Sequence, residues 1–260
     1  MGLKAIGLSK RFTEVPIAHR GYHDCGNSFG SGRPENSMSA FEAALENGFG
    51  IEIDLQLTSD NVPVVFHDND LERLFGKEIK IRELTLKNLQ KMMLSNGEAI
   101  PTLFDLLNFV SGTAPVLVEL KDQDGSLGPK VGELEFEVAK ILKAYDGPIA
   151  VMSFNPYSVW SFGSCYPKIP RGLVTESFSK DVWPQVAENR LKHLRLQKDL
   201  EEVGASFISH EYTDLNSMQV KASSEKATVF SWTIRSENEM KKALKRSQNI
   251  TFEGFDPRVF

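Results

Sequence analysis

"FGIEIDLQLTSDNVPVVFHDNDL", residues 49–71, places two carboxylates inside a run that is otherwise ready for burial. Glu52 and Asp54 alternate with Ile51, Ile53 and Leu55. A strand here would carry acids on one face and aliphatic groups on the other, because side chains alternate with a period of two. Same-face neighbours then stand about 6.6 Å apart. "TSDN" is a turn cluster, and "VPVVFH" reads as a hairpin partner that ends at His67. Upstream, "VPIAHRGY" is a second apolar run, ending in the basic pair His19 and Arg20.

The same kind of run recurs along the chain. "APVLVEL", "GPIAVMS", "IPRGLVT", "ASFIS", "ATVFSWT" and "NITF" are short and rich in apolar and β-branched residues. Helical patterns lie between most of them. "SMSAFEAALENG" sets Met38, Phe41, Ala44 and Leu45 on one face and ends at Gly48, a C-cap residue. "ELEFEVAKILKAYDG" and "SENEMKKALKRSQ" behave alike, and residues 181–204 predict a longer charged helical region interrupted near Pro184. Strands alternating with helices imply βαβ units and a parallel sheet.

Counting selects the architecture. With "VPVVFH" set aside as a hairpin partner, eight strands remain in 260 residues, which predicts a TIM (β/α)8 barrel spanning residues 1–260 as one domain. Residues 61–111 are too long for one crossover and predict a small insertion after the second strand. The chain stops soon after the last strand, so the eighth helix is expected to be short or missing. The rival is a doubly wound open sheet, which would offer a glycine-rich phosphate loop after its first strand. "GNSFGSGR", residues 26–33, lacks the Gly-Lys-Ser/Thr ending of a P-loop and reads as a mobile surface loop.

Composition narrows the function classes. Hydrophobic residues make up 41% and charged residues 25%, as in an ordinary globular protein. A net charge of -5 argues against a nucleic-acid partner. Two cysteines, Cys25 and Cys165, are too few for a disulfide framework. No signal peptide, myristoylation signal or membrane span is read, so the expectation is a cytoplasmic protein without stable membrane insertion. "NIT" at Asn249 matches a glycosylation sequon that has no consequence without secretion.

In a TIM barrel the chemistry sits at the C-terminal ends of the strands. His19 and Arg20 end the first strand, Glu52 and Asp54 lie late in the second, Glu119 and Lys121 end the third, and Trp232 ends the seventh. Three converging carboxylates repel one another and are costly to desolvate. One divalent cation relieves both problems, and all-oxygen ligation suits Mg²⁺, Ca²⁺ or Mn²⁺.

"AHRG", then "PENSMSAFEAALENGFGIEIDLQLTSDNVPVVFHDNDLERL", then "VELK", then "FSWT" closely resemble the glycerophosphodiester phosphodiesterase family. The likeness is dense from Ile17 to Leu74 and sparse from about Thr113 onward. It implies metal-dependent hydrolysis of glycerophosphodiesters to glycerol 3-phosphate and an alcohol. It makes Glu52, Asp54 and Glu119 the metal ligands and His19 and His67 the acid–base pair. It also makes Arg20 and Lys121 phosphate contacts and Trp232 a wall of the substrate site. Glu35 would support the site or fix the start of the following helix, and Phe154 would pack at the pocket edge. The attacker would be water or the substrate's own glycerol 2-hydroxyl. A lysophospholipid-cleaving relative and a silent barrel that binds phosphodiesters or metal are the alternatives.

The chain departs from the family pattern in three places. The loop from Tyr22 to Arg33 is long. "NITFEGFDP" replaces the usual acid-and-proline ending. Arg235 stands where many relatives carry Asn, while Ser236 and Glu239 have the spacing of a capping box. Arg235 would then be a solvated rim residue or a contact for an anionic alcohol group.

Overall fold

The computed structural model describes residues 2–24 and 32–258. Cys25 and most of the glycine-rich 26–33 stretch lie outside the described residues. The strands are β1 (Ile17–Ala18), β2 (Gly50–Leu57), β3 (Pro63–Val65), β4 (Asp70–Leu71), β5 (Lys77–Lys80) and β6 (Val116–Leu120). They continue as β7 (Ile149–Ser153), β8 (Arg171–Thr175), β9 (Phe207–Glu211), β10 (Thr228–Ile234) and β11 (Asn249–Phe252). β1, β2 and β6 to β11 pair in parallel, and β11 returns to β1. The result is a closed eight-stranded TIM barrel. β3 lies antiparallel on the end of β2, with Leu55 opposite Val65.

Alternation sorts the side chains. Ile51, Ile53 and Leu55 point outward and join a core with Leu103, Leu106 and Leu107 of the Leu103–Val110 helix. The inward set at the barrel floor includes Ile17, Leu117, Met152, Phe207 and Phe230. Gly172 makes room there, since a Cβ at that position would meet the Phe207 ring at 2.5 Å. Phe12, from the short Arg11–Glu14 helix, closes the floor. Asn249 Nδ2 donates to the carbonyls of Phe12 and Val15, at 2.7 Å each, so the sequon asparagine is spent inside the barrel.

Residues 61–111 hold β3, the small β4–β5 sheet and a cluster of their own around Val64, Phe66, Ile81 and Leu89. The Leu103–Val110 helix then leads the chain to β6, starting from a capping box between Thr102 and Asp105. The expected long helix at 181–204 is instead Glu188–Arg195 followed by a 3₁₀ turn, Lys198–Leu200. Pro184 has no N–H to give a helix, and its ring disfavours the helical conformation at Trp183. Trp183 turns inward against Phe154 and Phe178. Gln197, at φ +50°, ends the helical path. No helix among the described residues follows β11, and none is long and apolar enough to cross a membrane.

Candidate active site

The C-terminal barrel mouth gathers the polar groups that the strands carry inward. Asp54 and Glu119 are direct partners across the parallel β2–β6 pairing. Glu52 is one inward position below Asp54. The three carboxylates are buried, and ligand atoms from all three lie within 4.8 Å of one another. Lys121 Nζ donates to Asp54 at 3.1 Å and to Glu119 at 2.7 Å. Arg20 Nε stands 3.5 Å from the other Asp54 oxygen.

The chain bends sharply after β1 to complete this arrangement. Arg20 adopts φ +53°, an uncommon conformation for a side-chain-bearing residue. Its backbone N–H thereby donates to Glu52 at 2.9 Å. Gly21 follows at φ +79°, and a Cβ there would strike Ala40 at 2.9 Å. Asn36, also at φ +53°, donates its amide to Asp54 at 2.9 Å. Glu35 accepts from Arg20 at 2.9 Å and from Arg73. It therefore braces the site rather than starting the next helix, whose N-cap is Ser37.

Each histidine is held by a carboxylate on the same ring atom. His19 Nδ1 meets Glu253 Oε2 at 2.6 Å, and His67 Nδ1 meets Asp68 Oδ1 at 2.8 Å. This leaves both Nε2 atoms for chemistry. Glu253 is also bonded by Arg235 Nε at 2.7 Å. A role for Arg235 as an anion contact would cost that ion pair. The N–H of Arg235 donates to Glu239, and Ser236 caps the next helix by accepting from Glu239 N. Trp232 packs edge-on against Phe154, centroids 5.6 Å apart, and donates to the Ser209 carbonyl.

His19, Arg20, Glu52, Asp54, His67, Glu119, Lys121 and Trp232 all line one cavity of about 220 Å³. Sequence reasoning passed over Glu253, Asp68, Asn36, Ser209 and Thr251. Asp68 directly follows His67, and Glu253 directly follows β11, where the strand-end rule would have found it. Ser209 and Thr251 line the cavity with buried hydroxyls that have no hydrogen-bond partner among the described residues.

The electrostatics divide the carboxylates. Burial, then Asp54 and Glu119, push Glu52 well above the usual carboxylate range. Burial also acts against ionised Asp54, but Lys121, His67 and Arg20 outweigh it and hold Asp54 well below that range. Burial opposes the charge on Lys121 too, and Asp54 and Glu119 more than restore it. An extra cation would relieve the cluster most at Glu52. All its donors are hard oxygens, which fits Mg²⁺, Ca²⁺ or Mn²⁺.

Burial lowers His19 to about 4, against the opposing pull of Glu253. The imidazole is therefore neutral at pH 7 and able to accept a proton. The unfolded chain binds a proton at His19 near pH 6.5, which the folded chain does not do until about 4. Stability then falls as pH drops through that window. Between pH 7 and pH 5 this one group should cost roughly 2 kcal/mol. Urea midpoints for wild type and His19→Gln test this. The drop from pH 7 to pH 5 should be smaller in the variant, and an equal drop would show that His19 titrates normally.

The sequence profile of the glycerophosphoryl diester phosphodiesterase family matches residues 19–249. The chain belongs to that family. The enzyme is 30% identical to YhdW of Bacillus subtilis, which carries this activity as a provisional name, over 88% of each chain. It is 32% identical to a glycerophosphodiester phosphodiesterase of Caldanaerobacter subterraneus, over 64% of this chain and 69% of the relative. Among solved structures, a glycerophosphodiester phosphodiesterase from Parabacteroides distasonis superposes with a TM-score of 0.71 at 27% identity, covering 91% of both chains. An Oleispira antarctica phosphodiesterase, solved in complex with sn-glycerol-3-phosphate, shares the fold with a TM-score of 0.73 at 24% identity. That likeness covers 96% of this chain and 97% of the other. The enzyme is a phosphoric diester hydrolase acting on glycerophosphodiesters.

Proposed function

We propose that the enzyme, as one domain with residues 61–111 inserted in its barrel, releases glycerol 3-phosphate by a two-histidine mechanism that requires one divalent cation. Glu52, Asp54 and Glu119 would hold the ion. Bound there, it would offset phosphate charge as a Lewis acid. Arg20 and Lys121 contact the phosphate oxygens and stabilise the more negative transition state. Ser209 and Thr251 offer their hydroxyls to the glycerol, and Trp232 forms its apolar wall. The Oleispira relative's complex with sn-glycerol-3-phosphate fits this product.

The observation that carries the reading is the matched holding of two imidazoles, each by a carboxylate on Nδ1, at one acidic cavity. His19, kept neutral by burial, accepts the proton of the attacking hydroxyl. His67 adjoins the open side of the cavity, so it protonates the departing alkoxide. Glu253, braced by Arg235, orients His19, while Asp68, braced by Arg73, orients His67.

The test is product release from a series of glycerophosphodiesters, assayed with Mg²⁺, Ca²⁺ and Mn²⁺ in turn. Glycerol 3-phosphate should appear in step with the free alcohol, and only with metal present. Release of free glycerol with a phosphorylated alcohol would place the scissile bond on the wrong side and overturn the assignment.

A further inference from the structure

Beside the catalytic cavity lies a trough of about 830 Å³. His67, Glu119, Lys121 and Phe154 line both spaces, so the two adjoin. One wall of the trough is aromatic. Phe154 and Trp183 meet there with centroids 5.3 Å apart. Trp183 is fixed by its indole N–H, which donates to Glu176, so its ring is a preset surface rather than a mobile one.

The charged groups of the remaining lining are mainly acidic. Glu119 and Lys121 belong to the carboxylate cluster. Apart from them, the trough carries Asp68, Asp70, Glu72 and Asp122 against Arg73 alone. Arg73 is itself spent, since its guanidinium is bonded to both Asp68 and Glu35. Lys121 and His67, which the trough shares with the cavity, are committed to the phosphate and the leaving oxygen, so the rest of the described lining offers mainly ring faces and carboxylates. A cation there gains from both, since aromatic faces attract ammonium groups and the acids set a negative potential.

We propose that this trough receives the alcohol half of the substrate and selects an alcohol bearing a quaternary ammonium group. The inference rests on His67 facing the leaving group. Aromatic contacts with a cation contribute about 0.5–2 kcal/mol, or roughly twofold to thirtyfold in affinity. Neutral alcohols keep only the apolar contact, and anionic ones meet repulsion.

Product inhibition isolates the charge. Choline and 3,3-dimethylbutan-1-ol have the same shape and differ in one positive charge. With metal-loaded wild type hydrolysing glycerophosphoglycerol, choline should inhibit roughly tenfold more strongly than the neutral isostere. Trp183→Ala should shrink that ratio by severalfold, and Asp70→Asn should shrink it less. In direct turnover, kcat/KM should favour glycerophosphocholine over glycerophosphoglycerol, and both over glycerophosphoserine. Equal inhibition by choline and its isostere overturns the proposal, as does a preference for the serine ester. Failure of wild type to hydrolyse any of these diesters would instead overturn the mechanism on which it rests. Circular dichroism separates a misfolded Trp183 variant from a folded one with altered selectivity.

Discussion

Stripping divalent ions with a chelator should cut glycerophosphodiester turnover about 10³-fold or more, and Mg²⁺, Ca²⁺ or Mn²⁺ should restore it. The magnitude follows from the several kcal/mol of charge stabilisation that a Lewis acid supplies at a phosphoryl oxygen. Glu52→Gln should lose activity to a similar degree without loss of fold. In the metal-free protein it should melt no lower than wild type, because it removes one of three buried, mutually repelling carboxylates. Adding the ion should raise the melting temperature of wild type, since a ligand that binds only the native state stabilises it by mass action. The shift should be much smaller for Glu52→Gln. A fully active Glu52→Gln protein after chelation would remove the metal from the mechanism.

Alanine at His19 or at His67 should each lower turnover of a natural diester by roughly 10²-fold or more, with the fold intact. The two losses should then separate by leaving group. An activated aryl phosphodiester departs without protonation, so it should largely rescue His67→Ala and leave His19→Ala impaired. Glu253→Gln should be milder than His19→Ala, because the imidazole remains and loses only the partner that orients it. Rescue of His19→Ala in place of His67→Ala would exchange the two roles. Turnover close to wild type in either alanine variant would refute the pair.

Arg235, read along the chain, is either a solvated rim residue or a contact for an anionic alcohol group. In the folded protein its Nε is bound to Glu253, and the space beside His67 is lined by Phe154 and Trp183 and by more acidic than basic side chains. A single cationic residue in a sequence says little about local potential. That depends on which carboxylates the fold brings within bonding distance.

The sequence alone determined the barrel and most of the residues that gather at its mouth. Strand alternation is local, so the acidic face of Glu52 and Asp54 is legible within eight residues. The position of chemistry at strand ends then names His19, Glu119, Lys121 and Trp232. A run of apolar residues between turn signals marks each of the eight barrel strands, whatever its distant partner. Tertiary structure alone decided the groups that orient and surround this set. His19 and Glu253 are 234 positions apart and meet only because β11 closes on β1. Arg73 and Glu35 meet across 38 positions because the 61–111 segment folds back against Glu35. Trp183 faces the trough because Pro184 breaks the helical pattern around it. Period and composition describe a chain's neighbours in sequence, whereas these contacts arise from closure of the barrel and carry no periodic trace.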